Sequence, residues 1–282
     1  MTARLRRIAR ALTVVLALGA GPGWACGPDA LGTSRTLHLA PAAPLGLKTY
    51  PRTLALQDKE LVLTFDDGPA PGATAQTLDA LKAECVRATF FLIGRNAAAH
   101  PHLARRAAAE GHTIGHHSYS HPALTLRALS DTASQADIWR GMEADDQAVY
   151  GGWTGVARTP FFRFPGFADS PAMNAALAAA GVTVFGADLW SSDWEPMSAE
   201  AQRALVLARI EKAGKGIVLM HDTKRQTAEM LPGLLRDLKA RGFKIVHVAP
   251  GETQAAIRAA PAGWASETER TLARMWPKPP PR

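Results

Sequence analysis

Leu61-Val62-Leu63-Thr64-Phe65-Asp66-Asp67-Gly68-Pro69 is the stretch on which the fold turns. Apolar and β-branched residues run into two adjacent carboxylates and then a Gly-Pro pair, the pattern of a buried strand that ends in a turn. In α/β proteins chemistry gathers at that end of a strand. Two neighbouring Asp raise each other's pKa if both ionise in a dry site, a cost that a cation relieves. Asp-Gly is also a common turn pair. Taken alone the stretch favours the plain turn, and the rest of the chain reverses that preference.

Outward from this run, strand and helix signals alternate. Strands are predicted at residues 61–65, 88–93, 113–116, 161–164, 182–185, 217–220 and 243–248. Helices are predicted at 73–84, 101–110, 130–150, 171–180, 199–212 and 227–241, with Ser130, Ser170 and Ser198 as start signals and Gly111, Gly151, Gly181 and Gly242 as stops. Alternation of this kind predicts an α/β fold with a parallel sheet and crossover helices. Periodicity does not decide between a closed barrel and an open sheet. The domain is placed at residues 58–250, preceded by an extended lead-in (26–57) and followed by an Ala/Pro-rich tail (251–282) with a short helix near 266–275.

The chain has 282 residues, 47% of them hydrophobic, and a net charge of +7. That is enough apolar material for one core of about 200–250 residues. Residues 1–25 are read as a signal peptide: Arg4, Arg6, Arg7 and Arg10 precede a short apolar run, and small residues surround Ala25. The run is shorter than the roughly 20 residues that span a bilayer. Export to the periplasm or the extracellular space is expected. Gly23-Trp24-Ala25 lacks the aliphatic residue of a lipoprotein cleavage box, so unmodified export ranks above lipidation of Cys26. Cys26 and Cys85 can pair in an oxidising compartment, which their spacing does not decide. No Lys/Arg-aromatic array suits nucleic acid, and the anionic cell envelope is the better electrostatic partner for a basic exported chain.

Polar residues cluster just after the predicted strands. His117 and His121, four apart, share a face on a helix, although Gly115 and Pro122 make a tight loop equally compatible. With a carboxylate from the neighbouring Asp pair they make a set suited to zinc or a similar divalent ion, with a coordination position left for water. Arg163 has the fixed fork to orient a carboxylate. Gly166 lets the backbone approach a ligand, so its N–H can donate to an oxyanion. Asp188-Leu189-Trp190-Ser191-Ser192-Asp193-Trp194 reads as an aromatic wall with polar handles. His221 ends an apolar strand at the rim, where it can protonate a leaving group.

The set resembles the polysaccharide deacetylase family, carbohydrate esterase family four, with its NodB homology domain. The likeness rests on Thr64-Phe65-Asp66-Asp67-Gly68-Pro69, His117-Ser118-Tyr119-Ser120-His121, Arg163-Phe164-Pro165, Asp193-Trp194 and Leu219-Met220-His221-Asp222, in register over residues 59–250. It implies a distorted (β/α)7 barrel, a single NodB-like catalytic domain, and metal-dependent removal of acetyl groups from an N-acetylhexosamine polymer or oligomer. It assigns Asp67, His117 and His121 to a divalent metal, zinc first, with cobalt, nickel or manganese as alternatives. Asp66 is implied as general base, held by Arg163, and His221 as general acid, tuned by Asp193. Pro165, Gly166, Trp194 and Leu219 are implied at the substrate and oxyanion. The third motif departs from the family form, which often carries Tyr after the Pro where this chain has Gly166. Competing expectations on the same scaffold are an O-acetyl (xylan-type) esterase, a small-molecule amidase, and a non-catalytic glycan-binding protein of the envelope. The last would be marked by loss of a ligand or of the acid.

Overall fold

The computed structural model describes residues 26–275 apart from Pro28. The signal peptide expected over residues 1–25 therefore lies outside the described residues. Strands are β1 (Thr33–Leu39), β2 (Arg52–Leu54), β3 (Glu60–Asp66), β4 (Thr89–Leu92), β5 (Thr113–His116), β6 (Phe161–Phe162), β7 (Thr183–Val184), β8 (Leu189–Trp190), β9 (Gly216–His221), β10 (Lys244–Pro250) and β11 (Ile257–Ala259). Helices are α1 (Ala73–Ala83), α2 (Gly94–Ala99), α3 (Pro101–Ala109), α4 (Asp131–Tyr150), α5 (Pro171–Ala179), α6 (Ala199–Ala213), α7 (Arg225–Ala240) and α8 (Glu267–Met275).

β3 is buried along its whole length, which is why it reads as an unbroken apolar run and not as an alternation. It pairs in parallel with β9 from Leu61 to Asp66, so Asp66 sits opposite His221. Its other edge is shared. Glu60 and Leu61 pair with β10, and Thr64 to Asp66 pair with β4. The sheet continues through β5 and β6 to β7, and β8 pairs with β9.

β7 and β8 are two ends of one bent segment, the first joined to β6 and the second to β9, which closes the distorted barrel. The backbone carbonyls at the bend are taken by a side chain: Arg163 donates from Nε to Phe185 O (3.2 Å) and from Nη2 to Gly186 O (2.8 Å). A buried carbonyl needs a partner, and here a cation replaces a strand. The fourth and fifth strands are consequently shorter than the apolar runs at 161–164 and 182–185 predict.

The flanking segments pack on this body. β1 pairs in parallel with β10, and β11 with β2 antiparallel. Thr268 of α8 donates its N–H to Lys48 O at 2.9 Å. Cys26 and Cys85 form a disulfide, with Cα atoms 5.9 Å apart. Among the described residues no helix is long and apolar enough to cross a membrane.

Candidate active site

The strand ends meet at one mouth. Asp66 finishes β3 inside the barrel, 2% exposed. The next residue leaves the sheet in the left-handed region, Asp67 φ 76°, and its carboxylate reaches the mouth instead of the opposite face. Asp tolerates that conformation better than most residues. Asn96 Nδ2 donates to Asp67 O at 2.8 Å and holds the turn.

His117 follows β5, and His116 just before it points away, onto Asp145 of α4 at 2.8 Å. Burial lowers His116 to about 4. Burial, with the Asp146 charge beside it, raises Asp145 well above the usual carboxylate range. Their hydrogen bond ties β5 to α4. The His117–His121 segment is a loop, not a helical turn: Ser118 and His121 have φ of 65° and 45°. Left-handed non-glycine residues cost of order 1–3 kcal/mol each and persist only where surroundings hold them. α4 does so. Asp137 Oδ1 accepts the N–H groups of Tyr119 (3.0 Å) and Ser120 (3.1 Å), and Gly141 leaves room for the loop backbone.

Asp67, His117 and His121 each offer one ligand atom, all within 4.8 Å of one another. Asp67 Oδ1 lies 3.5 Å from His117 Nε2 and 3.4 Å from His121 Nε2, yet is buried without a hydrogen-bond partner. His117 Nδ1–H donates to Arg163 O at 2.8 Å, which turns the Nε2 lone pair toward the cluster. Burial, with His121 nearby, lowers the His117 pKa to about 3, so the ring is neutral. An orphaned anionic oxygen between imidazole nitrogens suits a divalent cation of the zinc type.

Asp66 and His221, side by side at the ends of β3 and β9, adjoin this cluster. Arg163 is fully buried and donates from Nη1 to Asp66 Oδ1 (2.6 Å) and Thr64 Oγ1 (2.8 Å). Its guanidinium also lies 4.2 Å over the Phe91 ring. Burial raises the Asp66 pKa against the pull of Arg163 and His221. His221 pairs through Nδ1 with Asp193 Oδ1 at 2.7 Å, and its Nε2 lies 4.0 Å from Asp67 Oδ2. Asp193 Oδ2 accepts from His221 N (2.6 Å) and Thr227 Oγ1 (2.7 Å). Burial works against a charged imidazole, but Asp193, with Asp67 and Asp66 behind it, lifts His221 to about 9.

Around them stand the remaining expected residues. Pro165 opens a short 3-10 turn that exposes Gly166 at φ 59°. Trp194 is 44% exposed and meets the His221 ring edge-on at 6.0 Å. Leu219 is buried with Phe167 and Ala187, and the partly buried Trp190 packs against them. Phe167 stacks on Trp190 at 6.1 Å; only its place directly after Gly166 marks it in the sequence. Asp222, quoted with the fifth motif but given no task, is fully buried, and burial pushes it up to about 7 against its hydrogen bond from Thr74.

The family model for polysaccharide deacetylase matches residues 54–185. The chain is 33% identical over 207 residues to the peptidoglycan-N-acetylglucosamine deacetylase PgdA of Listeria monocytogenes, covering 73% of this chain and only 41% of that protein. It is 33% identical to the chitooligosaccharide deacetylase of Rhizobium leguminosarum bv. trifolii, covering 67% of this chain and 89% of that one. A solved peptidoglycan deacetylase of Bdellovibrio bacteriovorus superposes with a TM-score of 0.64 at 33% identity, over 76% of this chain and 60% of that chain. Barrel, strand-end residues and likeness over nearly the whole Rhizobium enzyme agree, and the chain belongs to the polysaccharide deacetylase family.

Proposed function

We propose that the protein is a metal-dependent hydrolase that removes N-acetyl groups from an N-acetylhexosamine polysaccharide or oligosaccharide of the peptidoglycan, chitin-like or poly-N-acetylglucosamine kind. One observation carries this reading: the three-donor cluster lies against two further groups suited to opposite tasks, Asp66 backed by Arg163, with Oδ2 3.9 Å from His117 Nε2, and His221 backed by Asp193, with Nε2 4.0 Å from Asp67 Oδ2. A glycan-binding protein that only inherited the scaffold has no need of both.

Asp67, His117 and His121 would hold the cation, which when bound lowers the pKa of water and polarises the acetamide carbonyl. Asp66 accepts the proton of the attacking water. Arg163, fully buried, holds the Asp66 carboxylate in place through its salt bridge. The exposed Gly166 N–H donates to the oxyanion, and Leu219 with its aromatic neighbours excludes water around the acetyl methyl. His221 gives its Nε2 proton to the departing nitrogen. An amine leaves poorly without that proton, and an imidazole held at about 9 keeps it at neutral pH.

The export expected from residues 1–25 suits this substrate class, because such glycans lie outside the cytoplasm. The disulfide fits an oxidising compartment. It also occupies the Cys26 sulfur that lipidation would need.

The test is acetate release from peptidoglycan, chitin oligomers and poly-N-acetylglucosamine, with and without a chelator. Release that a chelator stops and zinc restores is the expected outcome. Release indifferent to chelation removes the metal from the reading. Release from acetylated xylan with none from the N-acetylated glycans replaces amide by ester hydrolysis.

A further inference from the structure

β3 and β9 end side by side, with Asp66 opposite His221, and each strand carries one more Asp beyond its end. Asp67 goes to the ligand cluster. Asp222 goes inward: it is fully buried, and its Oδ2 accepts from Thr74 Oγ1 in the first turn of α1 at 2.6 Å. Thr74 Oγ1 is fixed in turn by the Ala70 N–H at 2.8 Å. The Asp222 carboxyl group lies directly against the Cα of Gly68, where a Cβ would overlap both of its oxygens. Gly68 is absent from the positive-φ residues. The glycine after the Asp pair therefore serves close approach to a carboxyl group, not a left-handed turn.

The strained residue is the one before it, Asp67 at φ 76°. Asn96 holds its carbonyl, and the Ile93 N–H donates to Gly68 O at 3.0 Å. These contacts restrain the turn from the side of β4 and α2. On the side of β9 its neighbour is Asp222.

We propose that Asp222 is a positioning residue: held by Thr74, it is the seat on which the Asp67–Gly68 turn rests, and through that turn it sets divalent-cation affinity without ligating the ion. The inference rests on the cation site proposed above. Groups behind metal ligands typically contribute 10- to 100-fold in affinity.

The experiment is zinc titration of the metal-stripped, disulfide-bonded protein by calorimetry. Asp222→Ala leaves the turn unsupported, and its zinc affinity is expected to fall about 10- to 100-fold. Asp222→Asn keeps the shape and the acceptor for Thr74 and is expected to stay within about threefold of wild type, a small part of that range. Gly68→Ala forces a Cβ into the carboxyl group and is expected to weaken zinc binding in the wild-type background. In the Asp222→Ala background the Cβ finds space, so the two losses are expected to be less than additive, as for residues in contact. Wild-type affinity in Asp222→Ala overturns the inference. So do equal losses in the Ala and Asn variants, which would make the effect one of charge, and strictly additive losses in the double variant. Failure of the wild-type protein to bind zinc would instead strike the cation site itself. Asp222→Asn serves as the folded control if Asp222→Ala is unstable.

Discussion

Asp66 and His221 are partners across two parallel strands, yet the proposed reaction asks one to take a proton and the other to give it. The division follows from what stands behind each. Arg163 keeps a buried carboxylate ionisable, and Asp193 keeps a buried imidazole charged. Asp66→Asn retains size and polarity but accepts no proton. Acetate release is expected to fall about 100- to 10,000-fold, the usual weight of general base catalysis, with zinc affinity unchanged by calorimetry. Asp193→Asn addresses the acid. As the proposed acid His221 must be protonated to act, so activity is expected below its pKa and lost above it, with the wild-type alkaline limb at or below about 9. A cation on Asp67 offsets part of that carboxylate's pull and moves the limb down somewhat. Removing the Asp193 charge takes away its main support, leaving burial to oppose the imidazolium. The alkaline limb of kcat is then expected to move toward acid pH, and an unmoved limb would take the proton-donor task from His221.

The elements that set these residues were unequally legible. β3 announced itself because both its faces are buried, and the capped helices because Ser130, Ser170 and Ser198 do accept backbone N–H groups at their starts. β1 was hidden: Thr33, Ser34, Arg35, Thr36 and His38 leave no apolar run in a strand that pairs on one side, with β10. β8 is two residues long, and α2 has no side-chain cap. The candidate residues, Arg163 and Asp193 among them, stood out by chemistry at strand ends, whereas the supports of the His117–His121 loop did not, because nothing local marks Asp137 or Gly141 on α4 as partners of a loop some twenty residues earlier. Gly141 tests that support. A Cβ there would lie 2.5 Å from the Ser118 carbonyl carbon and 2.7 Å from Tyr119 N, so the loop or the helix must shift. Gly141→Ala gains about 1 kcal/mol of helix propensity against an overpacking cost of about 1–3 kcal/mol. Denaturant unfolding is expected to show a net loss of up to about 2 kcal/mol from those opposing contributions. Zinc titration is expected to weaken in parallel, since His121 rides on the displaced loop. Full zinc affinity would detach the ligand geometry from α4.

At the scale of the whole molecule, site and staple lie at opposite ends of the strands. The candidate residues follow the C-terminal ends of β3, β5, β6, β8 and β9. Cys85 instead precedes β4, just past α1, and holds residue 26 there. Charge adds little at this scale: Arg4, Arg6, Arg7 and Arg10 supply four of the seven net positive charges and all precede the expected cut after Ala25. Attraction to an anionic envelope would thus be weaker for the exported protein than the full chain suggests. The disulfide acts chiefly on the unfolded chain, since closing a loop with a sequence separation of 59 removes conformations that folding would otherwise have to lose. The chain-entropy relation gives about 4 kcal/mol for such a loop, and measured values run typically about 2–4 kcal/mol. Cys85→Ser is expected to lower unfolding stability within that range while leaving kcat and zinc affinity at 25 °C unchanged. A reductant should reproduce the loss in wild type and add nothing in the variant. A drop in kcat in a variant that remains folded would mean that the pinned N-terminal segment communicates with the mouth through β4, the strand that Cys85 introduces and whose far end supports the Asp67–Gly68 turn.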